Sequence, residues 1–356
     1  MFDNFSIRLK IVLLSGLCLL GVVGLIVGMN FYQTNQNDQL VGASSKKMLT
    51  DSVQNLLQAK ATEKALRVQK TFGDSLLIVN AMADQVVDIR TMAGHRSLDA
   101  AALREELNHS LGTVFERNTG VLGIWLSFEP NALDGRDTEF ANDAKHSANE
   151  VGRFSSYWSR ADDTSLNTVI LESDMTKTEL NLSGMPYNTW YTCALHSGKT
   201  CLLEPYADTV GGKLVLMTTI AVPVRVDGKV IGVVGVDLAL SSLQAEAVSS
   251  QKELFDGAGH MLIVSGSGLL TANSVDAGTL GKGIEQVLGG DGKDILRAIG
   301  TNKVSVVKQG DVIRAIFPVT PIPGATPWGV VIDLPEQVLL ADAVKLQAVL
   351  DAAKTS

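Results

Sequence analysis

Aromatic side chains with a polar edge are scarce in this chain: five Tyr and four Trp in 356 residues. Cysteine is scarcer, at three, too few for a disulfide-built scaffold. The five His (His95, His109, His146, His196 and His260) are scattered, and none sits in a nucleophile arrangement. Only His196 lies near a cysteine pair, so no zinc ligand set forms. No G-x-S-x-G elbow occurs, and "SGKT" at 197–200 fails as a phosphate loop because Cys193 stands where the pattern needs Gly. "GGDGKD" near residue 289 lacks the calcium-loop spacing and reads as a solvated turn. No basic patch is present and the formal net charge is -8, which argues against nucleic acid as a partner. The sequence thus gives no positive argument for catalysis, for a metal or for a cofactor. Its acidic balance suits a cationic ligand, and equally serves plain solubility.

Charge is also lacking from Ile11 to Met29, a run long enough to cross a bilayer as a helix. Arg8 and Lys10 precede it, which predicts a cytoplasmic N-terminus over 1–10, a membrane span over 11–32 and everything later outside the cytoplasm. A cleaved signal peptide is the rival reading, but "MNFYQTNQNDQL" offers no small-residue cleavage site. Cys18 falls within the span. In an oxidising compartment, Cys193 and Cys201 in "CALHSGKTC" could close a small disulfide; two separate buried thiols are the alternative.

Residues 33–92 read as one long helix. Apolar residues recur at Leu49, Val53 and Leu56, then at Phe72, Leu76, Val79, Ala83 and Val86, the spacing of a helix-packing seam. Part of that seam is expected to face its own domain and part a second copy. "LDAAALREELNHSLGTVFER" predicts a second helix and "VLGIWLSF" a half-buried strand. A polar loop over 130–149 follows, then "GRFSSYWSRA" and "TVILESD". "LVLMTTIAVPVRV" and "KVIGVVGVDLAL" flank Asp227-Gly228, a strong hairpin signal. The pattern is α+β, an antiparallel sheet with helices outside it. A smaller copy runs from "HMLIVSGSGLLTAN" to "WGVVIDLP", with the boundary between the two near residue 245. The first module is expected over 93–245 and the second over 246–340. The last stretch, 341–356, is expected to be a helix leading toward a second membrane span.

What the chain does have is a concentration. Six of its nine Tyr and Trp (Tyr157, Trp158, Tyr187, Trp190, Tyr191 and Tyr206) fall between residues 157 and 206, among Glu172, Asp174, Glu204 and Asp208. Ring faces attract cations, and carboxylates add charge-assisted hydrogen bonds to ammonium protons. Core filling is the alternative for any single ring. Tyr206 and Asp208 are spaced i, i+2 and share one face of a strand, and Asp237 is a lone acid in the apolar strand "GVVGVDL".

The anchor, the long helix, the two sheet modules and the "WGVVIDLP" ending resemble the double Cache (dCache) sensor domain of bacterial methyl-accepting chemotaxis receptors, over about residues 1–350. The resemblance implies two PAS-like antiparallel modules in tandem, with a ligand held in the membrane-distal one. The amino-acid-binding branch of that family carries R-x-W-Y, then Y-x-D, then an Asp in the following hairpin strand. Here "NTWY", "YAD" and "GVD" stand in those places, which implies binding roles for Trp190, Tyr191, Tyr206, Asp208 and Asp237. Asn188 replaces the Arg that holds an amino acid's carboxylate, and Asn lacks the charged fork for that task. The retained acids, with Glu172 and Asp174 for a second ammonium and Tyr157 and Trp158 as walls, make the site similar to those of polyamine- and histamine-sensing chemoreceptors. The resemblance further implies an inner-membrane homodimer with a periplasmic sensor. It implies a cytoplasmic chemotaxis kinase and coupling protein as partners, and no enzymatic activity. An amino-acid sensor, or the input of a histidine kinase or diguanylate cyclase, are the alternatives.

Overall fold

The computed structural model describes the backbone of residues 7–161, 164–339 and 341, with side chains described for nearly all positions from 51 onward and for a few before. The chain divides into two compact units, residues 1–56 with 340–356 and residues 57–339. In the first unit the backbone is helical from Ile7, the start of α1 (Ile7–Arg96). Leu20, Val22, Val23, Leu25, Val27 and Met29 are exposed there. Among the described residues no helix is long and apolar enough to cross a membrane. Most side chains of the span expected over 11–32 lie outside the described ones, as do residues 1–6 and 342–356.

The second unit holds the rest of α1 and both sheets. Along α1 the buried positions Leu57, Ala61, Ala65, Val68, Phe72, Ser75, Val79, Ala83 and Val86 recur at steps of three and four, with Lys64 buried beside Ala65. The expected seam is therefore displaced at its start, since Leu57 is buried and Leu56 is half-buried; Leu49 and Val53 lie outside the described side chains. Arg90 Nε donates to the Leu133 carbonyl (3.0 Å), and the Phe72 ring meets Trp328 edge-on at 5.0 Å, so this one helix lies along both modules. The helix α2 (Ala100–Arg117) starts at Asp99, whose side chain accepts from the Ala102 amide, and buries Leu103, Leu107, Leu111 and Phe115 at a spacing of four.

Seven antiparallel strands form the first sheet. They are β1 (Gly123–Phe128), β2 (Ser155–Ala161), β3 (Thr164–Val169), β4 (Cys201–Leu202), β5 (Tyr206–Val210), β6 (Lys213–Val226) and β7 (Lys229–Ala239). The order is β3-β2-β1-β7-β6-β4, with β5 also on β6. The hairpin at Asp227-Gly228 puts both residues at positive φ, as a tight two-residue turn requires. All six residues of β1 are buried, unlike the half-buried strand expected, because β1 is central and α2 covers its far face. The helical turn α3 (Glu172–Thr176) and α4 (Thr189–Ser197) complete this module, so "LESD" is not strand but the start of α3. The polar 130–149 loop is pinned by fully buried Arg104, which binds Asp134, Asp137 and the Gly152 carbonyl at 2.8 to 3.0 Å.

The second sheet has five strands in the order β10-β11-β12-β8-β9, formed by β8 (His260–Val264), β9 (Leu270–Asn273), β10 (Ser305–Gln309), β11 (Val312–Val319) and β12 (Trp328–Pro335). Its helices are α5 (Leu240–Glu253), α6 (Ile284–Leu288) and α7 (Gly290–Gly300). The turn expected at "GGDGKD" is in fact the start of α7, which buries Ile295 and Ile299. Gly292 permits this, because a Cβ there would stand 2.7 Å from the Ile284 carbonyl oxygen.

Candidate ligand pocket

Side chains on one face of the first sheet alternate toward a common centre. The register pairs Trp125 with Tyr157 across β1 and β2, Gly123 with Asp237 across β1 and β7, and Thr219 with Asp237 across β6 and β7. Tyr206 and Asp208 arrive on β5 beside β6. Two glycines make this possible: a Cβ at Gly235 would lie 2.2 Å from the Trp125 indole, and one at Gly123 would lie 2.5 Å from the Tyr157 ring. Both rings therefore lie across the neighbouring strand.

The result is a cavity of ≈150 Å³. Its walls are Trp125, Tyr157, Tyr187, Trp190 and Tyr206, with Thr168–Ile170 and Thr209 at its edge. Three carboxylates line it, Asp174, Asp208 and Asp237, and no Lys or Arg does. The Trp125 and Trp190 rings meet edge to face at 4.9 Å. The Trp190 indole N–H has no hydrogen-bond partner among the described residues, which leaves a donor for a water or ligand atom.

Asp237 is 3% exposed. Thr219 Oγ1 donates to its Oδ1 at 2.6 Å and Trp125 Nε1 at 3.3 Å, and the Tyr157 hydroxyl also bonds it. The Tyr206 hydroxyl in turn donates to Thr219 Oγ1 at 2.7 Å. Burial pushes the Asp237 carboxyl up to about 7, against the pull of those hydrogen bonds and with a smaller push from Asp208. The half-buried Asp174 is also raised, by burial first and then by Asp208. Asp208 accepts from the Tyr187 hydroxyl and from the Thr209 amide, both at 2.7 Å. Burial and these acids hold the Tyr157, Tyr187 and Tyr206 hydroxyls well above their ordinary range, so all three stay protonated donors.

Six expected site residues thus meet here: Tyr157, Asp174, Trp190, Tyr206, Asp208 and Asp237. Four do not line the cavity. Trp158 is on the opposite face of β2, against Gly112 and Phe115 of α2, with its Nε1 donating to Asn108 (2.9 Å). Its alternation with Tyr157 makes both facing the pocket impossible. Glu172 is held by Arg153 (2.8 Å) and Asn149 (3.2 Å). Tyr191 points to the same Arg153, its hydroxyl donating to Glu129 at 2.6 Å. Asn188 is buried at the base of α4, where its Nδ2 donates to the Met175 carbonyl (2.9 Å) and ties α3 to α4. Trp125 lies outside the expected cluster, and Tyr187, a member of that cluster, had been given no binding role. The signal for Trp125 was an indole in the apolar strand "GIWLSF"; its depth depended on the β1–β7 register, which spacing alone does not supply.

A disulfide joins Cys193, near the end of α4, to Cys201 at the start of β4, with Cα atoms 6.3 Å apart. It fastens the helix bearing Trp190 to the sheet.

Residues 107–245 match a family model described as the methyl-accepting chemotaxis protein-like, first PDC sensor domain. Over 349 residues the chain is 42% identical to the methyl-accepting chemotaxis protein TlpQ of Pseudomonas aeruginosa, covering 98% of this chain and 49% of that protein. The chain therefore spans about half the length of this curated relative. Among solved structures, it superposes on methyl-accepting chemotaxis protein X with a TM-score of 0.61 at 24% identity, covering 78% of this chain and 96% of that one. The periplasmic sensory domain of Campylobacter jejuni chemoreceptor Tlp1 gives 0.60 at 14% identity, covering 82% and 98%. These two show a shared mixed α+β, PAS-like sensor fold. The likenesses together support a chemoreceptor-type, dCache-like sensor domain.

Proposed function

We propose that this chain is the extracytoplasmic ligand-binding part of a transmembrane chemoreceptor, and that it senses small cationic amines, polyamines such as putrescine or spermidine or biogenic amines such as histamine. One observation carries the reading: three carboxylates share an aromatic-walled cavity that no basic side chain lines. Burial, with a smaller push from Asp208, disfavours the charged forms of Asp174 and Asp237, and the cluster remains under-compensated until a cation enters. An ammonium would satisfy them and gain about 0.5–2 kcal/mol from each well-placed ring face. The volume has room for roughly ten water-sized groups, the scale of a small amine.

An amino acid needs in addition a cation for its carboxylate. Asn188 is neutral and its amide is engaged with Met175. The buried Arg153 is committed to Glu129, Glu172 and the Tyr191 hydroxyl. Lys177 lies 4.5 Å from the Tyr187 ring centroid but does not line the cavity.

A bound diamine would bridge Asp174 on α3 to Asp208 and Asp237 on the sheet, drawing that segment inward. Such closure signals only if the ligand prefers one of two states. The uncharged run Ile11–Met29, with its exposed apolar side chains, would anchor the sensor in the inner membrane, leaving the sheets in the periplasm. A homodimer would form through α1 and pass the change to a cytoplasmic chemotaxis kinase and its coupling protein. The discriminating experiment is a thermal-shift screen of the 356-residue chain against an amine panel and the twenty amino acids. Amines are expected to raise the melting temperature; stabilisation by amino acids alone would overturn the amine reading.

A further inference from the structure

Lys64 stands in the apolar seam of α1 between Ala61 and Ala65, only 1% exposed. A buried ammonium is costly unless paired, so its partner is informative. Besides Glu63 of its own helix at 3.4 Å, that partner is Glu253, the last residue of α5, which the Lys64 ammonium contacts directly. One turn on, Arg67 reaches the same carboxylate at 3.1 Å and approaches Glu246 of α5 at 3.8 Å. The α1 helix is thus tied to α5 by two cations sharing one acid.

The other end of α5 leads to the pocket. Its first residue, Leu240, follows Ala239 at the end of β7, three residues after Asp237. Its middle is bonded to the second sheet as a strand would be: Gln244 Nε2 donates to the Asn273 carbonyl and its Oε1 accepts from the Asn273 amide, both at 2.7 Å. One short helix therefore meets the pocket strand at its start, the second sheet at its centre and α1 at its end. The contact between Glu204 and Ser267 (2.7 Å) also links the modules, but it involves no residue of α1.

We propose that α5 passes the state of the pocket to α1, and that the Lys64/Arg67–Glu253 ion pair is the joint where it does so. The inference rests on the cavity being the sensory site, though not on which ligand fills it. Any shift of β7 around Asp237 moves the N-terminus of α5 as a rigid body, since no linker intervenes. At the far end, if Glu253 moves away the buried Lys64 keeps only the longer contact to Glu63 of its own helix (3.4 Å), so α1 follows or Lys64 changes partner. Glu246, two turns back on the same face, offers Arg67 a second carboxylate and so a second register.

Hydrogen exchange of the 356-residue chain tests this without any ligand. Asp237→Asn removes the most buried of the pocket's three acids at constant size, and Glu253→Gln removes the joint's charge at a half-exposed position. Asp237→Asn is expected to change exchange of α1 amides over residues 60–70 by about threefold or more. In the Glu253→Gln background the same substitution is expected to leave them unchanged. An undisturbed α1 in Asp237→Asn, or an equal response with and without Glu253, would overturn the proposal. Calorimetric titration of the wild type with putrescine, run alongside, separates the two readings: failure there counts against the amine assignment alone.

Discussion

Asp237 concentrates the chemistry of the pocket in one side chain. A lone acid in an apolar strand is visible in "GVVGVDL", but its depth comes from facing Gly123 and Thr219 across two neighbouring strands. Its carboxyl, pushed up to about 7 by burial, holds a proton in the folded state where the unfolded chain has released it. Between the ordinary Asp value near 4 and about 7 the folded state therefore binds more protons, and this group's contribution to stability falls as pH rises. Ligand-free Asp237→Asn, which keeps an acceptor for Thr219, should gain stability relative to wild type at pH 8, with the gap closing toward pH 5; urea denaturation across that range checks it. Asn188 teaches the converse lesson. Its identity is legible as a missing Arg, but its position at the α3–α4 junction is not, because spacing does not say which way a residue at a helix start will face. Glu172 and Tyr191 were likewise taken up by Arg153, a charge whose burial no local pattern announces.

At the scale of elements, alternation and turn chemistry made the hairpins readable, and tertiary context decided the remainder. The β6–β7 turn followed from Asp-Gly. The α7 start at "GGDGKD" did not, because Gly289 at positive φ makes the turn while Gly292 serves close packing of the helix on Ile284. Gly235 plays a similar role beneath Trp125. Gly235→Ala is expected to displace that indole, costing about 1–3 kcal/mol of stability by overpacking and weakening amine binding with it; paired denaturation and titration experiments would show both. The Cys193–Cys201 bridge holds α4 to β4. Replacing both cysteines by serine should cost about 2–3 kcal/mol, as expected for closing so short a loop, and should weaken ligand binding through a loosened Trp190. A variant with unchanged denaturation midpoint and affinity would deny the bridge that role.

At the scale of the molecule, two antiparallel modules lie along one helix, and the cavity with converging acids is in the first of them. The second module presents an aliphatic interior of Leu262, Val264, Ile295, Ile299 and Val331 on the corresponding side, where Ile299 fills the space above Gly329. The contrast was readable in the sequence, since six of the nine Tyr and Trp fall between residues 157 and 206 and only Trp328 comes after them. What was not readable is how α5 joins the pocket strand to α1, because Lys64 looks like any surface lysine until its burial is known. The function proposed for the molecule requires that the pocket receive a cation. Isothermal titration of the chain with putrescine, spermidine and histamine at pH 8, repeated for Asp237→Ala, measures it most directly. The account predicts that at least one of these amines binds the wild type and that the variant loses about 2–5 kcal/mol of that affinity. Wild-type affinity in Asp237→Ala, or heat from amino acids and none from any amine, would contradict it.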